Sequence, residues 1–257
     1  MKAAAALISV CAWLGTCAGQ QAGPPVDLVA TPNRPTVTNT ADTTQQGVLE
    51  LEFGVAAASR QQSLQGLMKF GLLRDLELQW AGSPWQHDAS LRQSGITDTA
   101  VGFRWRFMHQ SGDRPTLSFQ YNAKLPTAGP VLGSGRSDYV VTLLASKDVS
   151  SKFRLDGNLS YAWLGRRGGY DNAWLPTADL VRSLSEKWDV AVEFSGSTRA
   201  NAQTPPIVQN LWAVSYALRP RLVLDTAIQF GITGNVPRAV FLAGFTYSIA
   251  DVYRRRW

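Results

Sequence analysis

Apolar and polar residues alternate along much of the chain with a period of two. The clearest example begins at Phe153, where Phe153, Leu155 and Leu159 share one face while Arg154 and Asp156 lie on the other. This period is the signature of an extended strand, whose successive side chains point to opposite sides. The pattern recurs twelve times, within 49–55, 64–70, 76–80, 101–107, 117–125, 139–145, 153–163, 174–183, 188–194, 212–218, 222–230 and 241–249. The sequence therefore predicts an all-β protein of about twelve strands.

The connections between these strands are predicted to alternate in length. The longer ones span 60–63, 82–97, 126–136, 166–172, 199–206 and 234–238, and the shorter ones span 72–75, 110–114, 148–151, 185–187 and 219–221. Short periplasmic turns and longer outer loops are typical of a transmembrane β-barrel, and both chain termini then fall on the periplasmic side. A soluble sandwich has no reason to separate its connections by length.

The second face of most strands carries charged side chains. A dry protein core could not hold so many unpaired charges, whereas the lumen of a barrel whose apolar face contacts lipid could. The sequence thus predicts a transmembrane up-and-down antiparallel β-barrel. The candidate lumen-lining residues are Glu50, Glu52, Lys69, Glu77, Arg104, Arg106, Gln120, Lys124, Arg154, Asp156, Asp189, Glu193 and Asp225.

Two interpretations of these inward charges stay open. Opposed charges could form a selectivity lining that sets a transverse field for polar solutes. Alternatively, the charges could form salt bridges that close the lumen, because about twelve strands enclose a space that side chains and the N-terminal leader could fill. The carboxylates that follow short turns, and would ring the periplasmic mouth, are Glu77, Asp156, Asp189 and Asp225.

The amino terminus has the features of a secretion signal. Residues 1–18 contain Lys2, then an apolar run, then small residues up to Ala18. The apolar run is shorter than the ~20 residues that a membrane-spanning helix needs. We expect cleavage after Ala18, with Ala22 as the second choice and lipidation at Cys17 as an alternative. Residues 19–46 are then an extended periplasmic leader, 47–249 the barrel, and 250–257 a basic C-terminal tail.

Composition excludes several classes of function. Both cysteines, Cys11 and Cys17, lie in the predicted signal, so the mature chain would have no disulfide, no thiolate zinc site and no cysteine nucleophile. The formal charge is +6, but the basic residues are scattered except at 254–256. Together with the export signal, this distribution argues against a nucleic-acid partner.

The two histidines offer little for catalysis. His87 falls in a predicted outer loop and His109 at a predicted periplasmic turn, so they would lie at opposite ends of the barrel and could not cooperate in a metal site. His87 with Asp88 and a nearby serine is the one Ser-His arrangement that can be built. The serines concerned are Ser83, Ser90 and Ser94. We expect no enzyme activity, no metal and no cofactor.

Four stretches carry a family resemblance. Residues 34–54 begin Arg-Pro-Thr and run through a Thr-rich stretch into a strand containing Leu-Glu, and residues 70–78 form a hairpin turn. Residues 95–107 contain Gly-x-x-Asp, and residues 121–129 contain Leu-Pro-Thr-Ala-Gly. Together these stretches resemble the outer-membrane proteins grouped as "MetA-pathway of phenol degradation" transporters, over roughly residues 34–249. The resemblance implies a channel or transporter-like barrel whose family name links it to aromatic compounds.

We therefore expect a barrel in the bacterial outer membrane that passes small solutes, aromatic compounds among them, by passive diffusion through a charged lumen. Its expected partners are outer-membrane lipid and lipopolysaccharide, the small-molecule solute and the barrel-assembly machinery, with no nucleic acid; the sequence sets no oligomeric state. One alternative is a non-conducting structural or adhesive barrel with a plugged lumen. Another is a soluble periplasmic β-protein.

Overall fold

The chain folds into a closed antiparallel β-barrel, seen in a computed structural model that describes residues 27–129, 131–201, 203–234 and 236–254. Each strand arises where apolar and polar residues alternate. The strands are β1 (Val48–Ala58), β2 (Gln61–Leu73), β3 (Leu76–Asp88), β4 (Gln93–Gly95), β5 (Thr99–Met108), β6 (Thr116–Leu125), β7 (Asp138–Ser150), β8 (Phe153–Arg166), β9 (Gly169–Ser183), β10 (Trp188–Ser197), β11 (Ile207–Arg219), β12 (Leu222–Thr233) and β13 (Ala239–Asp251).

Twelve of these strands form the barrel wall. Consecutive strands pair along the sheet, and β1 pairs with β13 to close it, so no wall strand has an unpaired edge. The short β4 pairs only with β3 and belongs to the connection between β3 and β5. The prediction of a twelve-stranded up-and-down barrel is confirmed, and the predicted strands 64–70 and 174–183, whose alternation is the least regular, form within β2 and β9. β13 extends to Asp251 and so includes the first two residues of the predicted tail.

Polarity is inverted relative to a soluble protein. Trp80, Trp105 and Trp212 point outward and are 52%, 52% and 58% exposed, whereas Glu50 and Lys69 point inward and are 0% exposed. Apolar residues outside and polar residues inside are the arrangement of an outer-membrane barrel. No helix in the described part of the chain is long and apolar enough to cross a membrane.

The predicted alternation of connection lengths is only partly correct. The connections 89–98, 126–137 and 198–206 are long and lie at one end, called here the loop end. At that same end, however, 59–60 and 167–168 are two-residue turns, and at the opposite turn end 109–115 spans seven residues. Strands β8 and β9 continue through most of the predicted loop 166–172, because Gly168 adopts a positive φ of 85° that permits a tight turn.

The N-terminal leader enters the barrel. The predicted signal peptide lies outside the described residues, but residues 29–46, called here the lumen segment, contact inward-facing side chains of the wall. The sequence offered both the periplasm and the lumen as places for the leader. The structure puts residues 29–46 in the lumen.

Candidate functional site

The lumen segment enters from the turn end, crosses the barrel and returns. Near its start, the Ala30 N–H donates to the Pro220 carbonyl in the turn between β11 and β12 (2.9 Å). At its middle, the Thr38 N–H donates to Glu193 Oε2 on β10 (2.6 Å). Near its end, the Thr44 N–H and hydroxyl both donate to Glu77 Oε2 (2.7 Å each), just before the chain enters β1.

Inward side chains satisfy the backbone of this segment. The Asn33 N–H donates to Glu52 Oε1 (2.9 Å), and the Ala41 N–H donates to Ser146 Oγ (2.7 Å). The Asn39 N–H donates to Asn158 Oδ1 (2.7 Å), whose amide donates back to the Asn39 carbonyl (2.8 Å). Irregular backbone inside a barrel needs such partners because unpaired peptide groups are costly away from water. The polar inner face therefore serves first to hold the segment.

A buried ion cluster lies beside the start of β1. The Lys69 ammonium contacts Glu50 Oε1 at 2.6 Å and Glu52 Oε1 at 2.5 Å. The same ammonium donates to the Thr31 carbonyl, while Glu50 Oε2 accepts from the Thr31 N–H (3.0 Å). All three charged side chains are essentially inaccessible to solvent. Lys69 thus joins two strands of the wall to the lumen segment.

Three arginines extend this network across β5 and β8. Arg104 donates to Gln120 Oε1 and to the Asp42 carbonyl, both at 2.9 Å. Arg106 and Arg154 both contact the Asp42 carboxylate, at 3.1 and 2.6 Å. Asp42 on the lumen segment therefore bridges two strands that are not neighbours.

Asp75, in the turn between β2 and β3, is the outermost carboxylate of this network. Burial alone would raise the pKa of Asp75, but hydrogen bonds from Arg106 and His109 outweigh burial and hold the pKa below its ordinary value. Arg106 contacts Asp75 Oδ1 at 2.8 Å and so joins the turn to the lumen network.

Carboxyl groups dominate the ionisable side chains on the inner face of β8, β9 and β10, away from the Lys69 cluster. Asp179 on β9 lies directly across from Asp156 on β8 and from Glu193 on β10, so three carboxylates form one row across adjacent strands. Arg154 pairs with Asp156 at 3.1 Å, whereas no ion pair is present at Asp179 or Glu193 within the described residues. The carboxylate row therefore has more carboxyl groups than cations to pair with them.

A cavity of about 750 Å³ separates the lumen segment from this part of the wall. The segment forms one side, and small residues such as Ala191, Ala213 and Ser215 form the other. Glu186 and Pro220, in two turns, also line the cavity, so it reaches the turn end of the barrel.

The family described as "Putative MetA-pathway of phenol degradation" matches residues 32–249. The chain belongs to this family. No curated protein sequence matches it.

Solved structures with the same fold include outer-membrane porins and channels. An outer-membrane channel from Pseudomonas putida F1 has a TM-score of 0.63 at 10% identity, covering 88% of this chain and 99% of that one. The NanC porin has a TM-score of 0.60 at 10% identity, covering 78% and 100%. The KdgM porin, solved in complex with disordered oligogalacturonate, has a TM-score of 0.55 at 9% identity, covering 78% and 99%. At such identities the likeness shows the fold of outer-membrane barrels.

In this MetA-pathway family member, the predicted lumen-lining residues fall into two groups. Nine are buried in the lumen, namely Glu50, Glu52, Lys69, Glu77, Arg104, Gln120, Asp156, Glu193 and Asp225. Four are partly exposed, namely Arg106, Lys124, Arg154 and Asp189. Lys124 lies near the loop end beside Asp138 (2.5 Å), and Asp189 lines the cavity. Their role in selectivity stays a prediction.

Sequence reasoning missed several residues of this network, among them Asp75, Arg34, Asp42 and Asp179. Arg34, which pairs with Asp225 at 3.3 Å, and Asp42 lie in the leader, where no periodicity indicates a position. Asp179 lies in a strand interrupted by Pro176, yet the apolar residues on either side of it, Ala178 and Leu180, already implied that its side chain points inward.

The histidines are placed apart, as expected. His87 Nδ1 lies 2.8 Å from Ser94 Oγ, so the structure brings together one of the predicted pairs. Asp88, however, accepts from the N–H groups of Ser90 and Leu91 rather than orienting His87. His109 contacts Asp75 at 2.9 Å. Among the described residues, no group of three or more histidine, cysteine or acidic side chains is arranged to hold a metal ion.

Proposed function

We propose that this chain is an outer-membrane channel that passes small solutes by passive diffusion, along a route between the lumen segment and the wall formed by β9–β12. The observation that carries the proposal is the cavity of about 750 Å³ along this wall. Around the rest of the lumen, ion pairs of Asp42 with Arg106 and Arg154 fasten the segment to the barrel. Along this wall, ion pairing to the segment is limited to Arg34–Asp225 within the described residues, and small residues leave space.

The family and the fold support the same direction. The porins and channels that share the fold are proteins of the outer membrane. The family description concerns phenol degradation, and on that basis we include aromatic compounds among the candidate solutes. Polar and charged groups on both sides of the cavity favour solutes that carry at least one polar group.

A second candidate is a non-conducting barrel whose lumen the segment closes. The observation that favours it is the complete burial of Lys69 and Arg104 in the middle of the network. Such a protein would act through its outer loops as a structural or adhesive barrel. The two candidates differ in whether solute passes beside the segment.

Single-channel conductance in planar bilayers separates them. We expect protein purified from outer membranes to give stable steps whose current follows the applied gradient, as passive diffusion requires. A charge reversal at Asp189, which lines the cavity, should change the ion selectivity of these steps. A barrel that inserts and shifts on heat-modified gels but never conducts would favour the plugged barrel.

Cysteine modification then locates the route. A chain cleaved after Ala18 has no other cysteine, so Ala213→Cys introduces a unique thiol on the cavity wall. A bulky thiol reagent should reduce the conductance of Ala213→Cys. The matched control is Ser118→Cys, because Ser118 is 0% exposed and donates to the Ala41 carbonyl on the other side of the segment. Equal block of both variants, or block of Ser118→Cys alone, would place the route elsewhere.

A further inference from the structure

The carboxylate row, defined by Asp156, Asp179 and Glu193, is a polar arrangement that the fold leaves incomplete. Like charges directly opposite one another destabilise a sheet unless a cation lies between them. Arg154 forms an ion pair with Asp156, but it also contacts Asp42 and Asp148 (2.6 and 3.2 Å). The row therefore has a deficit of positive charge that its own neighbours do not supply.

The strands around the row supply no further cation that pairs with it among the described residues. Strands β9–β12 contain two basic residues, Arg182 and Arg219. Arg182 points outward, where its guanidinium lies 5.6 Å from the centre of the Phe153 ring. Arg219 is exposed at the end of β11. It lines the cavity with Lys187, in the turn between β9 and β10, and with Arg34, which pairs with Asp225, but none of the three forms an ion pair with the row among the described residues.

Five buried oxygen atoms on or beside the row have no hydrogen-bond partner among the described residues. They are Asp179 Oδ1, Glu193 Oε1 and the hydroxyl oxygens of Thr38, Thr177 and Ser195. Thr38 is 2% exposed, and its own N–H already donates to the other oxygen of Glu193. Buried polar atoms are rarely left without partners, so a cluster of them beside a cavity indicates a missing donor.

A donor in the cavity can reach Thr38 and Asp179, and Glu193 lies next to both, opposite Asp179 on β10 and bonded to the Thr38 N–H. Both Thr38 and Asp179 line the cavity, together with Asp156 and small apolar residues such as Val181 and Ala191. A bare metal ion would fill only a small part of about 750 Å³. An ammonium group, in contrast, presents three N–H donors and no acceptor, which suits a site of carboxylate and hydroxyl oxygens, and its organic body could occupy the apolar part.

We propose that the lumen holds a binding site for a small solute with a protonated amino group, between Thr38 of the lumen segment and Asp179 and Glu193 of the wall. This inference rests on the proposed function, since it names the solute class that the cavity would admit. Charge-assisted hydrogen bonds to Asp179 and Glu193 provide the affinity, and the small residues of the wall accommodate the body of the solute.

Isothermal titration calorimetry on detergent-solubilised protein at neutral pH tests the site with three probes of similar size: benzylamine, benzyl alcohol and benzoate. We expect benzylamine to bind and the other two to bind at least about tenfold more weakly, because they lack the charged donors. Asp179→Asn and Glu193→Gln should each weaken benzylamine by about tenfold or more. Asp171→Asn, which removes a carboxylate near the loop end, should leave binding unchanged.

Each other outcome contradicts the assignment. Equal binding of benzylamine and benzyl alcohol would mean that the aromatic ring alone is recognised, and preferred binding of benzoate would mean an anion site. Loss of benzylamine binding in the presence of millimolar CaCl2 but not of NaCl would assign the row to a divalent ion. Because calorimetry needs no conductance, a barrel that binds benzylamine but stays electrically silent contradicts the proposed channel alone. A conducting barrel that fails to bind benzylamine contradicts this inference alone.

Discussion

Gly54 of β1 and Gly244 of β13 lie directly opposite each other, and the guanidinium of Arg34 occupies the space that their absent side chains leave. A Cβ at Gly244 would lie 2.5 Å from the Phe53 carbonyl oxygen on β1 and 2.7 Å from Arg34 Nε. From this slot Arg34 reaches Asp225 on β12 (3.3 Å) and Gln65 on β2 (3.2 Å). The place where the first and last strands close the barrel is thus also one of the places where the lumen segment is attached to the wall.

Gly244→Ala should release the segment from this slot. The added methyl group would crowd the Phe53 carbonyl and push Arg34 away from Asp225, and overpacking of this kind costs about 1–3 kcal/mol. A spin label at Val37→Cys, in an exposed position of the segment, should become more mobile in the Gly244→Ala background. Gly157→Ala is the matched control, because its Cβ would meet no atom closer than 3.8 Å. An unchanged spectrum in Gly244→Ala would show that the slot does not hold the segment.

Lys69→Met should destabilise the barrel strongly, because it leaves Glu50 and Glu52 buried without a cation. Removing one partner of a buried ion pair costs about 3–5 kcal/mol. The triple variant Lys69→Met, Glu50→Gln, Glu52→Gln should recover most of this loss, since the uncharged amides can still accept from the N–H groups of the segment. Urea unfolding in lipid vesicles measures the free energy of unfolding of the single and the triple variant. A single variant as stable as the triple would mean that water or another cation reaches the cluster.

The strand count and polarity of this barrel follow from its sequence because period-two alternation is a local property. Glu50 and Glu52 alternate with Leu49 and Leu51, and that is enough to place them inside once the apolar face is assigned to lipid. Even the irregular strand around Asp179 could be found from the apolar residues on either side of it. The direction in which each side chain points is thus encoded strand by strand.

The partners of those side chains could not be predicted in the same way. Residues 29–46 have no periodicity, so nothing in their order indicates that Asp42 meets Arg106 and Arg154, or that Thr38 meets Glu193. These contacts join residues more than 60 positions apart and depend on the path of an irregular chain. The same reason explains why the inward charges could be assigned either to a lining or to a closed network.

Loop lengths were mispredicted for a related reason. Polar residues such as Arg166 and Asp171 continue β8 and β9 past the apolar region, and they pair with each other at 2.8 Å. Beyond the lipid the alternation loses its apolar half, so the sequence resembles a loop although the backbone ladder continues.

The loop 126–137 should be held near the loop end by Asp98 at neutral pH. Its carboxylate accepts from the N–H groups of Ala128 (3.1 Å) and Ser134 (2.9 Å) and lies 3.7 Å from Lys124. Burial would raise the pKa of Asp98, but these donors and the ammonium outweigh burial and lower it. Because the pKa in the folded state is depressed, the stabilisation is complete above the ordinary value of about 4 and is lost as pH falls through the lower, folded value.

A spin label at Val131→Cys reports on this loop. We expect constant, low mobility of the label between pH 8 and pH 5, because the ordinary carboxyl pKa of about 4 and the lower pKa of the folded state both lie below this range. Mobility should rise only in stronger acid. In the Asp98→Asn background the label should be mobile at every pH, whereas in the Asp171→Asn background its mobility should follow that of the parent. Mobility that increases already near neutral pH would show that another group controls the loop.

Arginine substitutions along β7 should report how deeply its outer face lies in lipid. Leu143 and Val149 point outward on the same strand and are 50% and 64% exposed, with Leu143 near the middle and Val149 near the turn end. Leu143→Arg should cost about 2–4 kcal/mol, as for a charge at the bilayer midplane, and Val149→Arg only about 0–1 kcal/mol. Urea unfolding in vesicles measures this difference. In detergent micelles, which adapt to the charge, the difference should shrink. Equal costs at both positions in vesicles would mean that this face of β7 does not cross the hydrocarbon layer, and the outward aromatic residues would then need another partner.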